Sequence, residues 1–516
     1  MVERAYDGVW ILLLAALAVV PLALRGPLPP DELRYLSVAW EMWSRGDLVL
    51  PYLNGAPYTD KGPLLFWLIH AGWAVFGVND WWPRLLPPLF ALTAALLTRA
   101  LALTLWPEDR RTAALVPWLM IGSVALAIYT QIVLVDLLLT CCTLLALLGM
   151  ARAERGEEIG WLLVAAGTAL GLLTKGPVML LHLSGTALLA PWWRREGGAF
   201  IARAWYPRVA AALGFGVALA LVWGAFALRR GGVEYGTDVI VYQTEGRLVG
   251  GFAHRHASWY YLVMLPALLL PWSAWPAVWK AVHAALRAGM RDSGWRFLSA
   301  TIVPTFIVMS AIAVKQPHYL LPLVPLIACL FGSALAARQP QRERARVPVV
   351  LLACVAAAMA VLPLIVADRL SVEPWSPLPG LVAAAALLLL AGSGTTDRLV
   401  RRVAVLAPIV VLTSEAAFFT ADRTTYDTSA AAAFVHTLQD AGHPVAYTRD
   451  YEGEFHFEGR LTESLDVVGR DEQAALEWEQ QHPDGYVVRY RDAPEPGAAY
   501  TQPLRGVWLS IEAVHP

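Results

Sequence analysis

Lysine is almost missing from this 516-residue chain: only four of its 40 basic residues are Lys, and the rest are Arg. Charge of either sign is scarce at 16% of residues, against 57% hydrophobic. That composition excludes a soluble domain with one water-facing core and points to a polytopic membrane protein. A net charge of −1 supplies no uniformly basic surface, so no nucleic-acid partner is expected. The four cysteines, Cys141, Cys142, Cys329 and Cys354, all fall in apolar runs and form no CxxC pair, which argues against disulfides and a zinc ribbon. Neither an internal repeat nor a nucleotide-binding motif is present.

What the chain does have is apolar runs. Crossing a hydrocarbon core takes roughly 17 to 25 residues of helix. Thirteen runs meet that requirement: 9–25, 82–105, 112–128, 131–150, 159–175, 177–192, 208–228, 259–280, 297–314, 319–337, 347–367, 377–394 and 403–420. The first lacks a small-residue cleavage site and reads as a retained span rather than a signal peptide. The stretch PLLFWLIHAGWAVFG, 63–77, is short for a span and has the length of an interfacial helix.

Loop charge decides the orientation, because cytoplasmic loops carry the Lys/Arg excess. With 63–77 not crossing, the loops on the amino-terminal side hold 20 Lys/Arg and 11 Asp/Glu, while the opposite membrane loops hold 12 of each. The amino terminus is therefore expected in the cytoplasm and the carboxyl terminus outside. Residues 1–421 read as the membrane domain. From 422 to 516 the chain carries 17 acidic and 7 basic residues and no spanning run. Helix-like SAAAAFVHTLQDAG and EQAALEWEQQ alternate there with strand-like PVAYT, FHFEG, DGYVVRY and GVWLSIEA, which predicts a small extracytoplasmic α/β domain.

This topology gathers polar residues at the outer face: Asp31, Glu32, Arg34, Asp60, Lys61, Asp136, Lys175, His254, His256, Lys315 and His318. Ionisable groups beside apolar runs are costly and are usually paired or functional. Three of the four lysines, Lys61, Lys175 and Lys315, lie on this disfavoured side. A compact ammonium suits a phosphate oxygen, so three together favour anion binding over simple neutralisation of nearby carboxylates. In DELRYLSVAWEMWSRGD, Leu33, Leu36, Trp40 and Trp43 form one helical stripe and Arg34, Glu41 and Arg45 another face, as in an amphipathic interfacial helix. Asp31 stands where its N-cap belongs, and Glu32 complements the first turn. Tyr58, Asp60 and Lys61 open the second interfacial helix, whose free N–H groups favour an anion. Asp136 sits just inside a span end, facing a lysine or arginine. The HxH pair His254 and His256 is a weak metal signal that Asp60 could complete; hydrogen bonding to a phosphate or headgroup is the simpler use.

Four motifs together, Asp31-Glu32-x-Arg34-Tyr35, Tyr58-x-x-Lys61, TKGP at 174–177 and HYLLPLVP at 318–325, resemble the bacterial GT-C glycosyltransferases. Within them the pattern is nearest the aminoarabinose transferases of lipid A modification, which share the protein O-mannosyltransferase architecture. The resemblance covers roughly residues 1 to 340. It implies that Asp31 is the catalytic acidic residue, with Glu32, Arg34 and Tyr35 around it, and that Asp136 is a second outer-loop acid. It further implies that Tyr58, Lys61 and Tyr319 hold the phosphate of a polyprenyl carrier. His256 would match a histidine that holds a metal in some relatives with an acid at the position of Asp60, so a divalent ion is the one cofactor candidate. The family's Lys-Pro-Pro-Leu is here Lys61-Gly62-Pro63-Leu64, and a looser turn is expected; Asp60 stands where Glu is usual.

Moving a sugar off a lipid phosphate requires the leaving phosphate to be stabilised and the acceptor to be oriented and deprotonated. Lys61, Arg34, Lys175, Lys315 and His318 suit the first task, Asp31 the second. The expected protein is a multi-pass inner-membrane glycosyltransferase. It would carry a sugar from polyprenyl (undecaprenyl) phosphate to an extracytoplasmic acceptor such as lipid A, a glycan or a protein, with membrane lipid around it. The rival class is a transporter or flippase of a lipid-linked sugar, which should place its polar groups at the bilayer midplane rather than at one face.

Overall fold

Some apolar runs form single helices even through internal prolines, as at Pro87 and Pro88 in Trp81–Leu105 and Pro304 in Ser293–Ala311, while others break at a glycine or proline. A computed structural model describes residues 8–194, 201–240, 255–287, 292–339, 342–370, 377–389, 392–421 and 426–515. Among these, six helices are long and apolar enough to cross a membrane: Trp81–Leu105, Val135–Glu154, Ala202–Gly232, Ser293–Ala311, Pro317–Ala336 and Thr396–Thr420. Shorter apolar helices, including Val9–Leu24, Leu64–Phe76, Ile159–Lys175 and Val178–Leu188, pack among them. The protein is a multi-pass α-helical membrane protein with a β-rich carboxyl-terminal part.

Breaks fall at identifiable residues. The run 112–128 splits into Arg110–Ile121 and Val124–Tyr129, because Gly122 ends the first helix and the Ser123 hydroxyl accepts from the Leu126 N–H to start the second. The run 259–280 becomes Tyr260–Leu268, a 3-10 turn at Trp272–Ala274 and Pro276–Arg287. Pro271 and Pro276 at the junctions cannot supply the N–H groups a continuous helix needs.

The helix hairpin that organises the interior is Val135–Glu154 against Ile159–Lys175. Its seam runs over glycines: a Cβ on Gly149 would sit 2.6 Å from the Gly160 carbonyl oxygen, and one on Gly167 would sit 2.7 Å from the Ala146 nitrogen. Small residues allow this backbone approach where lipid supplies no hydrophobic drive. Antiparallel pairing then sets the first turn of one helix, which carries Asp136, beside the last turn of the other, which carries Lys175.

Among the described residues, nine short strands complete the fold. β1 (Tyr52–Leu53) and β2 (Ala56–Pro57) form a hairpin after the Asp31–Arg45 helix, and β3 (Arg342–Arg344) pairs with β4 (Ser393–Thr395). The carboxyl-terminal sheet comprises β5 (Val445–Tyr447), β6 (Asp466–Val467), β7 (Tyr486–Arg491), β8 (Tyr500–Leu504) and β9 (Val507–Ala513) in the order β6-β5-β7-β9-β8. β5 runs parallel to β6 and β7, and β9 runs antiparallel to β7 and β8. Val445, Tyr447 and Val488 pack on one face with Ala431 and Val435 of the Ser429–Asp440 helix; Ala446 and Val487 pack on the other with Trp478 of the Glu472–Gln481 helix. The two predicted helices and three of the four strand-like stretches, PVAYT, DGYVVRY and GVWLSIEA, fall where expected; the fourth, FHFEG, is instead a helical turn, His456–Gly459. Its alternation arises because Phe455 packs into the sheet's core and Phe457 into the membrane-helix core.

Candidate active site

Asp136 and Lys175, brought together by the hairpin, form a buried ion pair with Nζ to Oδ1 at 2.5 Å and side chains 2% and 6% exposed. The second Asp136 oxygen lies 3.8 Å from His318 Nε2. The Lys175 ammonium stands 4.0 Å from the centre of the Tyr319 ring, and His318 packs edge-on against Tyr319 and Tyr129. Asp136, Lys175, Asp31 and Lys61 all lie within electrostatic reach of the His318 ring. Asp31, Arg34 and Asp136 likewise reach Tyr35 together with Tyr58. Residues of distant segments thus form one constellation. Tyr129 belongs to it, though its sequence context, an apolar helix end, carries no sign of this.

Asp31 differs from its expected place. The helix cap is Pro30, Asp31 is the first helical residue, and no side chain caps the helix. The reason is its partner one turn along: Asp31 Oδ1 pairs with Arg34 Nη2, so the carboxylate points at a guanidinium instead of the helix N–H groups. Arg34 Nη1 pairs in turn with Glu452 from the carboxyl-terminal part. Asp31 keeps 42% of its side chain exposed while Arg34 keeps 20%, which leaves the carboxylate open to a ligand. Behind them, Tyr35 and Tyr58 are buried, and burial pushes both phenols up, so they present O–H groups. The Tyr58 hydroxyl has no hydrogen-bond partner among the described residues.

Lys61 Nζ lies 2.8 Å from Asp60 Oδ2, with Lys61 12% exposed and Asp60 48%. The turn that carries it is close-packed rather than loose. A Cβ on Gly62 would fall 2.1 Å from the Leu173 carbonyl oxygen, so glycine lets this loop press on the end of the Ile159–Lys175 helix. That contact sets Lys61 and Lys175 on the wall of one cavity of about 710 Å³. The rest of its lining is mostly apolar, with Leu172, Leu180, Leu221 and Trp223 among the side chains.

Three expected site residues are occupied elsewhere. Glu32 is fully buried: one oxygen accepts from Arg25 Nη1 at 2.6 Å and the Leu28 N–H at 2.9 Å, and the other accepts from the Val133 N–H at 3.0 Å. A carboxylate so enclosed anchors the start of the Asp31 helix. Lys315, also buried, donates to the carbonyls of Ile312 and His256, capping the open end of the Ser293–Ala311 helix instead of facing an anion. His256 is exposed and stacks on Tyr260 at 4.1 Å, while Asp60 pairs with Lys61. His254 lies outside the described residues. Among the described residues no three His, Cys, Asp or Glu side chains gather as a metal cage, so Asp60 and His256 do not fit one.

Sequence reasoning missed the clamp that brings Glu452 in. Ser37 Oγ donates to the Gly453 carbonyl and accepts from the Phe457 N–H, Trp40 donates to the Leu461 carbonyl, and Asn54 exchanges two hydrogen bonds with Leu465. Glu41, predicted on the polar face, is buried here because its carboxylate accepts the Asn54 and Gly55 N–H groups. Tyr451 Oη accepts two backbone N–H groups and so donates to His456 Nδ1 at 2.6 Å, which turns His456 Nε2 toward Glu41 Oε1 at 3.7 Å. Burial, helped by Arg45, pushes His456 down to about 4. Unfolded histidine protonates near 6.5, so stability present above that pH is lost as pH falls toward 4. Glu41, pushed up by burial, takes up a proton in the folded state and offsets part of the loss. Thermal melts from pH 7 to 4.5 should show falling stability, and His456→Gln should flatten the slope.

Residues 10–229 match the family model for dolichyl-phosphate-mannose-protein mannosyltransferase. The chain is 29% identical over 341 residues to the undecaprenyl phosphate-alpha-4-amino-4-deoxy-L-arabinose arabinosyl transferase of Pseudomonas aeruginosa strain UCBPP-PA14, covering 64% of this chain and 60% of that one. It is 29% identical over 338 residues to the Erwinia tasmaniensis enzyme of the same name, covering 63% and 59%. The matched region thus spans about three fifths of the length of these curated relatives. Among solved structures, ArnT from Cupriavidus metallidurans bound to undecaprenyl phosphate superposes with a TM-score of 0.73 at 18% identity, over 99% of both chains. The oligosaccharyltransferase of Archaeoglobus fulgidus superposes with a TM-score of 0.53 at 11% identity, over 94% of this chain and 70% of that one.

Proposed function

We propose that this chain, a GT-C superfamily membrane protein related to the ArnT and protein mannosyltransferase families, transfers a sugar from undecaprenyl phosphate, or a similar polyprenyl phosphate, to an extracytoplasmic acceptor. The single observation that carries the reading is the mostly apolar cavity with Lys61 and Lys175 on its wall, suited to a prenyl chain and its phosphate. In the reaction the bond between the sugar's anomeric carbon and the phosphate oxygen breaks, and an acceptor oxygen bonds to that carbon. Where the acceptor is a hydroxyl, its proton passes to Asp31. Lys61 and Lys175 neutralise the leaving phosphate, with Arg34, Tyr58, His318 and Tyr319 as further donors. Asp136 holds Lys175 and is a positioning residue in this scheme. Acceptors of the expected kind are lipid A, another glycan or a protein.

The proposal includes the topology. Thirteen spans put the amino terminus in the cytoplasm and the site outside, with the helices Asp31–Arg45 and Leu64–Phe76 lying in the interface. Residues 1–421 form the catalytic domain and 422–516 a domain that contributes Glu452. The test is sugar transfer by the purified protein from candidate polyprenyl phosphate sugars, alongside a vesicle assay for movement of labelled lipid. Release of polyprenyl phosphate with a glycosylated acceptor is the expected result. Movement of intact lipid-linked sugar across the vesicle without cleavage would replace this reading with the flippase.

A further inference from the structure

The order β6-β5-β7 is that of a doubly wound sheet at its switch point. The chain leaves β5 over the face that packs Phe455 and Leu461, reaches β6, and returns to the other side of β5 through the Glu472–Gln481 helix on the opposite face. In such sheets a crevice opens beyond the carboxyl ends of the strands where the winding reverses, and ligands bind there. Here that crevice has a volume of about 220 Å³ and is lined by Arg449 after β5, Gly469 and Arg470 after β6, and Arg489, Tyr490 and Arg491 at the end of β7.

The charge is concentrated against the trend. The segment 422–516 has 17 acidic and 7 basic residues, yet four of the seven line this one crevice, against two lining carboxylates, Asp471 and Glu472. Asp471 is spent on capping its own helix through the Gln473 N–H. Arg489 is held by Glu479 and Glu512, and Arg491 by Glu512 and Glu495, which fixes both forks. Arg449 lies flat over Tyr490 at 3.9 Å, and neither it nor exposed Arg470 forms an ion pair among the described residues.

We propose that this crevice binds a phosphate monoester, with Arg449 and Arg470 contacting the dianion and Arg489 and Arg491 shaping its seat. Guanidinium forks match phosphate oxygens in pairs, and the N-terminus of the Glu472–Gln481 helix adds to the favourable field. The loop that leaves Arg449 reaches Glu452 three residues later, so a bound phosphate sits one short loop from the Asp31–Arg34–Glu452 group. An acceptor headgroup that carries a phosphate and free inorganic phosphate share this chemistry.

The experiment uses the full chain in detergent micelles with Lys61→Ala, which weakens the phosphate site proposed in the membrane cavity, and reads binding by calorimetry without any transfer reaction. Glucose 1-phosphate and inorganic phosphate are titrated separately. Saturable binding is expected, weakened at least about tenfold by Arg449→Gln with Arg470→Gln and measurably by Arg470→Glu alone, since Arg470 is exposed and its change leaves the fold intact. Tighter binding of the sugar phosphate identifies a headgroup site; equal binding identifies a free-phosphate site. No saturable heat up to about 10 mM, or equal affinity in parent and arginine variants, overturns the proposal. Because no transfer is measured, its failure leaves the glycosyltransferase reading standing, and the reverse holds too.

Discussion

Replacing Asp31 with Asn is expected to lower sugar transfer by about 10²- to 10⁴-fold, the range for loss of a positioned general base, with donor binding and thermal stability unchanged. The side chain is 42% exposed and its recorded ion-pair partner is Arg34, which retains Glu452 when Asp31 loses its charge. An amide of the same shape therefore costs little in the fold. In the proposed mechanism it removes the group that orients and deprotonates the acceptor, a loss expected to fall on kcat and to leave the apolar cavity intact. Transfer from a radiolabelled polyprenyl phosphate sugar, with donor binding measured in parallel, separates the two. Turnover within a few-fold of the parent, in a protein with parental melting, would remove Asp31 from the reaction.

Much of this site was legible in the sequence because membrane topology is a strong filter. Loop charge places Asp31, Lys61, Asp136, Lys175 and His318 on one face of the expected topology, and the structure brings the other four within electrostatic reach of His318. The Asp31–Arg45 helix was legible too, from its stripe of Leu33, Leu36, Trp40 and Trp43. Residue type alone could not separate the lysines. Lys175 meets a carboxylate and Lys315 meets two carbonyls, and only the way each helix ends decides which.

Other features depend on contacts between distant segments. Glu452 reaches Arg34 across 418 residues, and nothing in YEGEFHFEG announces an active-site contact. From the sequence Glu32 reads as a first-turn acid beside the candidate catalytic Asp31, and Glu41 as part of the helix's polar face. Each is instead buried because backbone N–H groups from another loop, Val133 for Glu32 and Gly55 for Glu41, satisfy its oxygens. The local pattern of a helix says which face is polar; it does not say whether water or peptide will meet that face.

Asp136 and Lys175 offer the second large effect, and a way to separate structure from chemistry. Breaking a buried ion pair by removing one partner costs about 3–5 kcal/mol, because the survivor stays buried and uncompensated. Asp136→Asn should therefore lower the melting temperature sharply, because it removes the carboxylate that the buried Lys175 ammonium pairs with, and His318, itself a base, cannot supply that negative charge. Replacing both by apolar residues of similar size is often neutral or stabilising, so Asp136→Leu with Lys175→Met should melt near the parent. If Lys175 served the fold alone, that double variant would also recover transfer. It sits on the cavity wall beside Lys61, however, and the proposed mechanism needs its charge on the leaving phosphate. The double variant is accordingly expected to fold normally and to remain at least about 10²-fold slower, the loss typical of removing one electrostatic stabiliser. A double variant that both melts normally and transfers within tenfold of the parent would make the pair purely structural and leave Lys61 to carry the phosphate.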